Sequence, residues 1–441
     1  MEPLDVADRI TAEDLRPIWS AMDTDERVQA FHLLTPDDGS DLFQSLTVLD
    51  QVEILTGLSV GERRLWMRSL APDDAADVLQ SLPPEKREAW LDLLDEATRR
   101  EVRVLLAYAE DEAGGLMSPR FARIRAAMTV DEAIRYLRKQ IQGHLETIYY
   151  AYVLDAEQRL IGVVSIRELF AARGDGPVAD VMRREVVSVP ETMDQEALAK
   201  VFAEQDLMAI PVVDEEGRMK GIVTVDDIVD VVQEEATEDI QKLGGMEALD
   251  APYLQTRFLP MLKKRAGWLA ALFIGETLTA SAMAHYEDDM KKAVVLALFV
   301  PLIISSGGNS GSQASTLIIR AMALGEVRLR DWWRIIQREM SFGIALGGIL
   351  AMIGLVRILI WQGLFHTYGL HYLKVAITVA ISLVGVVLWG TMCGSMLPFV
   401  MRRLGFDPAS ASAPFVATLV DVSGLVIYFS VAQVVLRGML V

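Results

Sequence analysis

Cysteine is nearly missing from this chain: 441 residues contain one, Cys393. A single thiol excludes an intramolecular disulfide and any zinc or iron–sulfur site built from cysteines. Histidine is scarce too. The three in the C-terminal half, His285, His366 and His371, fall in or near loops between apolar runs. With no metal-ligand pair inside a run, an intramembrane enzyme is the least favoured reading and no catalytic residue is assigned. The N-terminus, MEPLDVADRI, has no basic segment leading into an apolar stretch. It does not read as a secretory signal, and the N-terminal half is expected to stay in the cytoplasm.

What is present is divided in two. Residues 1–250 carry a net charge of −26 and residues 251–441 a net charge of +7. Hydrophobic residues make up 52% of the chain and mean hydropathy is +0.28. An acidic soluble body joined to a lipid-embedded half fits these values. The acidic half would repel phosphates, which excludes nucleic acid as a partner and leaves cations as natural ones.

The soluble half contains two internal repeats. LTPDDGSDLFQSL (34–46) matches LAPDDAADVLQSL (70–82) at a period of 36 residues, which predicts stacked helical pairs. Proline suits the first turn, and Asp37, Asp38, Asp73 and Asp74 suit the positive end of the helix dipole. Asp73 and Asp77, four apart, also share a helical face where an ion could bind. The second repeat pairs residues 128–170 with 191–229: helix, strand ending in Asp, turn, Gly-led strand, helix. Asp155 corresponds to Asp214, Gly162 to Gly221 and Ser165 to Thr224. This pattern resembles a tandem pair of CBS modules, which are regulatory ligand-binding units. In CBS modules that bind adenine nucleotides, a Ser/Thr-x-x-Asp contacts ribose and phosphate. Thr224 and Asp227 fit that pattern, so ATP is a candidate ligand there, whereas Ser165 is followed by Glu168. Residues 230–250 form an acidic helical connector. Its carboxylates repel at i, i+3 and i, i+4 spacing unless the face is solvated or a divalent cation is bound.

The C-terminal half reads as five apolar spans near 266–285, 293–318, 341–363, 374–400 and 412–436. Lys263, Lys264 and Arg265, then Arg320, Arg328, Arg330, Arg334 and Arg338, then Arg402 and Arg403 all fall on one side. The positive-inside rule makes that side cytoplasmic and places the C-terminus outside. The opposite loops carry Lys291 and Lys292 beside Glu287, Asp288 and Asp289. Few charges lie within the spans. Arg357 is placed to snorkel, Glu276 sits mid-span, and Asp421 falls near mid-bilayer. An ionised carboxylate there costs about 3 kcal/mol. A cation, a water-filled path or an ion pair with Arg357 would offset that cost. The second span contains SSGGNSGS (305–312), small enough for close helix packing or for a break lining a watery cavity. Asn309 and Gln313 place two amides on one face. Backbone oxygens plus one carboxylate suit a hard cation such as Mg²⁺.

Taken together, EDEAGGLM (110–117), VVDEEGRMKGIVTVDD (212–227), EEATEDIQKLG (234–244), GGNSGSQ (307–313) and ATLVDVSGLVIY (417–428) resemble the MgtE family of magnesium channels over almost the whole chain. The resemblance implies a multidomain membrane protein. An all-α helical-repeat N domain (1–116) would be followed by two α/β CBS modules (117–180, 181–232), a plug helix (233–262) and a five-helix transmembrane domain (263–441). It implies a homodimer in the plasma membrane, with the second and fifth spans lining a pore on the dimer axis. Asp421 would hold hydrated Mg²⁺, with Ala417 and Asn309 beside it. Cytoplasmic Mg²⁺ bound at Asp73, Asp77, Asp194, Asp206, Asp227, Asp230, Glu235, Glu238 and Asp239 would hold the channel shut. Members commonly carry Asn where Ala413 precedes Pro414, so a broader divalent transporter admitting Mn²⁺ or Co²⁺ is an alternative. A membrane-anchored Mg²⁺ or nucleotide sensor that transports nothing is another.

Overall fold

The computed structural model describes residues 10–141, 145–287, 294–366, 368–369 and 371–436. Lys291, Lys292, Asp288 and Asp289 lie outside them. The chain divides after Glu234 into two compact units.

The first unit opens with short helices: α1 (Ala12–Leu15), α2 (Thr24–Leu33), α3 (Pro36–Gln44), α4 (Val48–Gly57), α5 (Val60–Ser69), α6 (Pro72–Gln80), α7 (Pro84–Leu91) and α8 (Glu96–Leu105). Local chemistry starts them. Asp23 with Glu26 and Ser59 with Glu62 close capping boxes on α2 and α5. Pro36 and Pro72 hold the first position of α3 and α6, the repeat read from sequence. Leu42, Phe43, Ile54, Leu55, Met67 and Leu79 are fully or almost fully buried between them.

After α9 (Ala113–Leu116) come two α/β modules. β1 (Phe121–Ile124) pairs in parallel with β2 (Thr147–Leu154), and β2 pairs antiparallel with β3 (Leu160–Ser165). α10 (Val130–Ile141) and α11 (Ile166–Ala171) belong to that module. The second module repeats it with β4 (Val189–Pro190), β5 (Ala209–Val213) and β6 (Met219–Thr224) in the same senses, plus α12 (Gln195–Gln205). The equivalent turns bond each other: Leu160 N–H donates to Gly217 O at 3.1 Å and Met219 N–H to Gln158 O at 3.0 Å. The second module shares one core with the helical domain through Leu198, Phe202, Ile210 and Val223.

α13 runs unbroken from Val225 to Leu243. The last helix of the second module and the acidic connector are therefore one rod, and helix is lost from Gly244 until Phe258. Among the described residues of the second unit five helices are long and apolar enough to cross a membrane. They are Phe258–His285, Val300–Ala323 (preceded by a short turn, Val294–Ala297), Trp332–Phe365, Tyr372–Arg403 and Ala413–Val435, called here the first to fifth spans. Two start earlier than the hydropathy alone suggests. Lys263–Arg265 and Arg334–Arg338 lie inside the first and third helices rather than before them, because backbone hydrogen bonding continues past the apolar stretch into the polar boundary.

Of the two readings of SSGGNSGS, close packing or a break, the structure takes the first: the second span is one continuous helix through it. Its small residues serve packing. A β-carbon on Gly394 of the fourth span would stand 1.9 Å from Gly311 O, and one on Gly390 2.3 Å from Gly307 O. Only glycine allows two helices this close.

Candidate functional site

The membrane site is built where the second span meets the fifth. Ser412 caps the fifth span by accepting from Phe415 N–H at 3.3 Å, with Pro414 in its first turn. Ser312 Oγ donates to Ala413 O at 3.1 Å and Ser315 Oγ to Ala411 O at 2.8 Å, fixing the fifth span's entrance against the second. Eight residues on stands Asp421, ~12 Å along the helix at about 1.5 Å per residue. A β-carbon on Gly308 would meet Ala417 Cβ at 3.5 Å and Asp421 Oδ1 at 3.6 Å. Asp421 and Ala417 are half-buried, and Ser305, Asn309 and Gln313 form an exposed polar stripe along the second span. Asn309 Nδ2 approaches Ser305 Oγ at 3.4 Å.

The ion pair that would have neutralised Asp421 is not formed. Arg357 lies over Phe299 and Trp361, with its guanidinium carbon 5.8 and 5.6 Å from the ring centroids. Glu276 lines an open groove of about 580 Å³ between the first and fifth spans, with Phe273 and Thr418. An exposed polar stripe beside an uncompensated carboxylate is costly in hydrocarbon. It suits water and a cation.

The candidates in the first unit and on the connector separate into groups. Asp73, Asp74 and Asp77 share α6 and face Glu146, Asp226 and Asp227. Asp73 is buried, and its Oδ1 has no hydrogen-bond partner among the described residues. Burial, then the charges of Glu146, Asp74 and Asp227, push its carboxyl well above the ordinary range. Asp77 is raised for the same reason, with Asp74, Asp227, Glu110 and Glu234 adding repulsion. Asp74 keeps an exposed edge, yet crowding by protein and the Asp227 charge bring it to about 6. Asp227 also reaches about 6: burial outweighs the hydrogen bonds it accepts from Thr224. Glu146 is raised chiefly by burial, against a hydrogen bond from Ser118 Oγ at 3.1 Å.

Sequence reasoning missed Glu146 and Asp226 and gave Asp74 only a helix-dipole role. The i, i+4 rule finds Asp77 from Asp73, but nothing local announces a carboxylate arriving from β2's edge. No group of three Asp, Glu, His or Cys among the described residues is arranged to grip a bare metal ion.

The other candidates serve different contacts. Asp194 caps α12 by accepting from Glu196 and Ala197 N–H, and Asp206 ends that helix in the left-handed conformation at φ 51°. Asp230 is exposed. Thr224 Oγ1 donates to Asp227 at 2.7 Å, so this pair is engaged at the start of α13; Ser165 and Glu168 do the same on α11. Glu235 and Asp239 are half-buried on the connector. Glu238 pairs with Lys242, and Lys242 Nζ also reaches Asp407 Oδ2 at 2.6 Å. Burial alone would lower that ammonium's pKa, but the two carboxylates outweigh it and raise it. Leu243 packs on Ala409 and Ala411, and Gly245, at φ 73°, turns the chain against Trp268 and Pro414. The connector therefore ends seated at the entrance to the fifth span.

Three family models match this chain. They are the MgtE divalent cation transporter domain over residues 300–431, the MgtE intracellular N domain over 10–111, and the CBS domain over 113–175 and 178–234. The magnesium transporter MgtE of Thermus thermophilus is 45% identical over 347 residues, 79% of this chain and 75% of that protein. Those of Enterococcus faecalis and Bacillus subtilis are 34% and 31% identical, covering 76% and 98% of this chain and 72% and 94% of theirs. Among solved structures, the cytosolic domain of the Mg²⁺ channel MgtE in complex with ATP aligns with a TM-score of 0.48 at 41% identity. It covers 51% of this chain and 92% of that one. The soluble part of a magnesium transporter aligns with a TM-score of 0.41 at 31% identity, covering 51% and 93%. With its N domain, paired CBS modules and, among the described residues, five helices long and apolar enough to cross a membrane, the chain belongs to the MgtE family of divalent-cation transporters.

Proposed function

We propose that the protein is a Mg²⁺ channel of the plasma membrane that imports Mg²⁺ as a homodimer and is closed by cytoplasmic Mg²⁺. The observation that carries the transport reading is the position of Asp421. Its carboxylate stands against Gly308 and Ala417, beside the exposed Asn309 stripe, and Arg357, the charged partner considered for it, lies over Phe299 and Trp361 instead. Two such faces brought together on a two-fold axis would cover both polar stripes and set two carboxylates across one path. Those carboxylates repel unless a divalent cation lies between them. A hydrated Mg²⁺ would be held through its waters by Asp421, with Ala417 and Asn309 leaving room for the shell. A permeant ion must not be gripped too tightly to leave, which also favours contact through water.

The regulatory reading rests on the raised carboxylates of α6, β2's edge and α13. Unneutralised, they oppose the compact arrangement of N domain and CBS pair. Mg²⁺ binding favours it and, through α13, the seated connector. The ligand can shift the equilibrium only by its differential affinity for the two states. The N-terminus is cytoplasmic and the C-terminus outside in this scheme.

Purified protein in liposomes tests both parts. Mg²⁺ flux is expected, abolished by Asp421→Ala and reduced by Mg²⁺ on the cytoplasmic face. Absence of flux from intact wild-type protein would favour the non-transporting sensor. Comparable flux of Mn²⁺, Co²⁺ and Ca²⁺ would favour a broader divalent transporter, as Ala413 suggests.

A further inference from the structure

An exposed arginine and tryptophan rim lies where the second, third and fourth spans end on the positive side. Arg328, Arg330, Arg334 and Arg338 are all exposed, as are Trp332 and Trp333, which pack edge-on with ring centroids 5.5 Å apart. None of the four arginines forms an ion pair among the described residues, although Glu326, Asp331 and Glu339 are close in sequence; Asp331 is spent accepting Arg328 N–H at 3.0 Å. The segment is held rather than loose. Val327 and Ile335 pack beneath it on Ile318, Met322 and Phe399. Arg402 and Arg403, also exposed, follow Phe399 by one turn.

The third helix is 34 residues long. That is ~51 Å, well beyond the ~30 Å hydrocarbon core, and its first nine residues, WWRIIQREM with Arg334, Gln337, Arg338 and Glu339, account for ~13 Å of the excess. They therefore lie at headgroup depth, where tryptophan is favoured and arginine forks match phosphate oxygens. We propose that this rim is a binding site for anionic phospholipid headgroups of the cytoplasmic leaflet. This rests on the five-span membrane reading and its orientation, and is independent of Asp421. Arginines without an ion pair, carried on a packed underside, present donors to lipid phosphate, with Arg338 also lying over the Phe342 ring at 5.7 Å, while the two indoles sit at the acyl boundary.

The test is native mass spectrometry of the full-length protein, titrated with phosphatidylglycerol or phosphatidylcholine. The wild type is expected to retain phosphatidylglycerol preferentially. Arg330→Gln/Arg334→Gln should weaken that retention by about tenfold. Arg330→Lys/Arg334→Lys should keep most of it, and Arg100→Gln, in the N domain, should leave it unchanged. The lysine pair also serves as the readout if the glutamine pair fails to fold: loss of preference for phosphatidylglycerol there would contradict a charge-led site. Equal retention of both lipids by the wild type, or unchanged retention in the glutamine pair, would overturn the proposal. Displacement by millimolar inorganic phosphate would assign the arginines to a free anion and overturn the lipid partner. Failure here would leave Mg²⁺ flux untouched, so the two readings are separable.

Discussion

Gly308 abuts Asp421: a β-carbon at Gly308 would stand 3.6 Å from Asp421 Oδ1, ordinary van der Waals contact with no spare volume. Gly308→Ala is thus expected to keep most of the flux. Gly308→Val adds branches into the space beside the carboxylate and should lower Mg²⁺ flux by more than about tenfold without unfolding the protein. Equal flux in the two variants would place the ion path elsewhere.

Close packing of the second and fourth spans makes a separate prediction. Gly394→Ala forces a methyl group onto Gly311 O, at 1.9 Å in the unrelaxed geometry, and the helices must part. A loss of about 1–3 kcal/mol or more is expected, read as a lower thermal midpoint in detergent. Gly348→Ala, with nothing within 4 Å of the added carbon, should be neutral or stabilising.

The acidic cluster predicts a pH dependence. Asp74 and Asp227 titrate near 6 in the folded protein, above the ~3.9 of an unfolded chain. A raised carboxylate pKa means the native state holds the proton more tightly. The resulting stabilisation is complete below about pH 4 and is lost as pH rises through 6. Protons and Mg²⁺ should therefore substitute for each other. At pH 7.5, millimolar Mg²⁺ should protect residues 235–255 from protease; at pH 5 the protection should need little Mg²⁺. Asp73→Asn, which removes a buried charge, should reduce the Mg²⁺ requirement at pH 7.5. Digestion indifferent to Mg²⁺ at both pH values would contradict this.

The seat of the connector predicts a gating phenotype. Lys242 bridges Glu238 and Asp407. Asp407→Asn removes one carboxylate of a half-buried charged pair and should loosen the connector. The expected result is higher Mg²⁺ flux at inhibitory cytoplasmic Mg²⁺, with maximal flux unchanged. Lower flux under all conditions would point to a folding role for Asp407.

Much of this organisation was legible in the chain because it is periodic. Pro36 and Pro72 open equivalent helices, and Asp155 and Asp214 accept backbone bonds at equivalent turns. Asp421 was visible as the one charged residue in the 25-residue run 412–436. What was not legible depends on long-range approach. Glu146 is 73 residues from Asp73 and bears no local mark. SSGGNSGS allowed a broken helix as well as tight packing, and only Gly390 and Gly394 arriving from the fourth span decide for packing. Arg357 could have served Asp421 by charge, yet its position beside Phe299 and Trp361 gives it rings instead.

The most direct measurement is Mg²⁺ flux into liposomes by Asp421→Ala, compared with wild type at equal protein content and verified folding. The expected result is loss of flux to the level of protein-free vesicles, with thermal stability and dimer mass retained. Undiminished flux would contradict the assignment of Asp421 as the carboxylate that holds the ion.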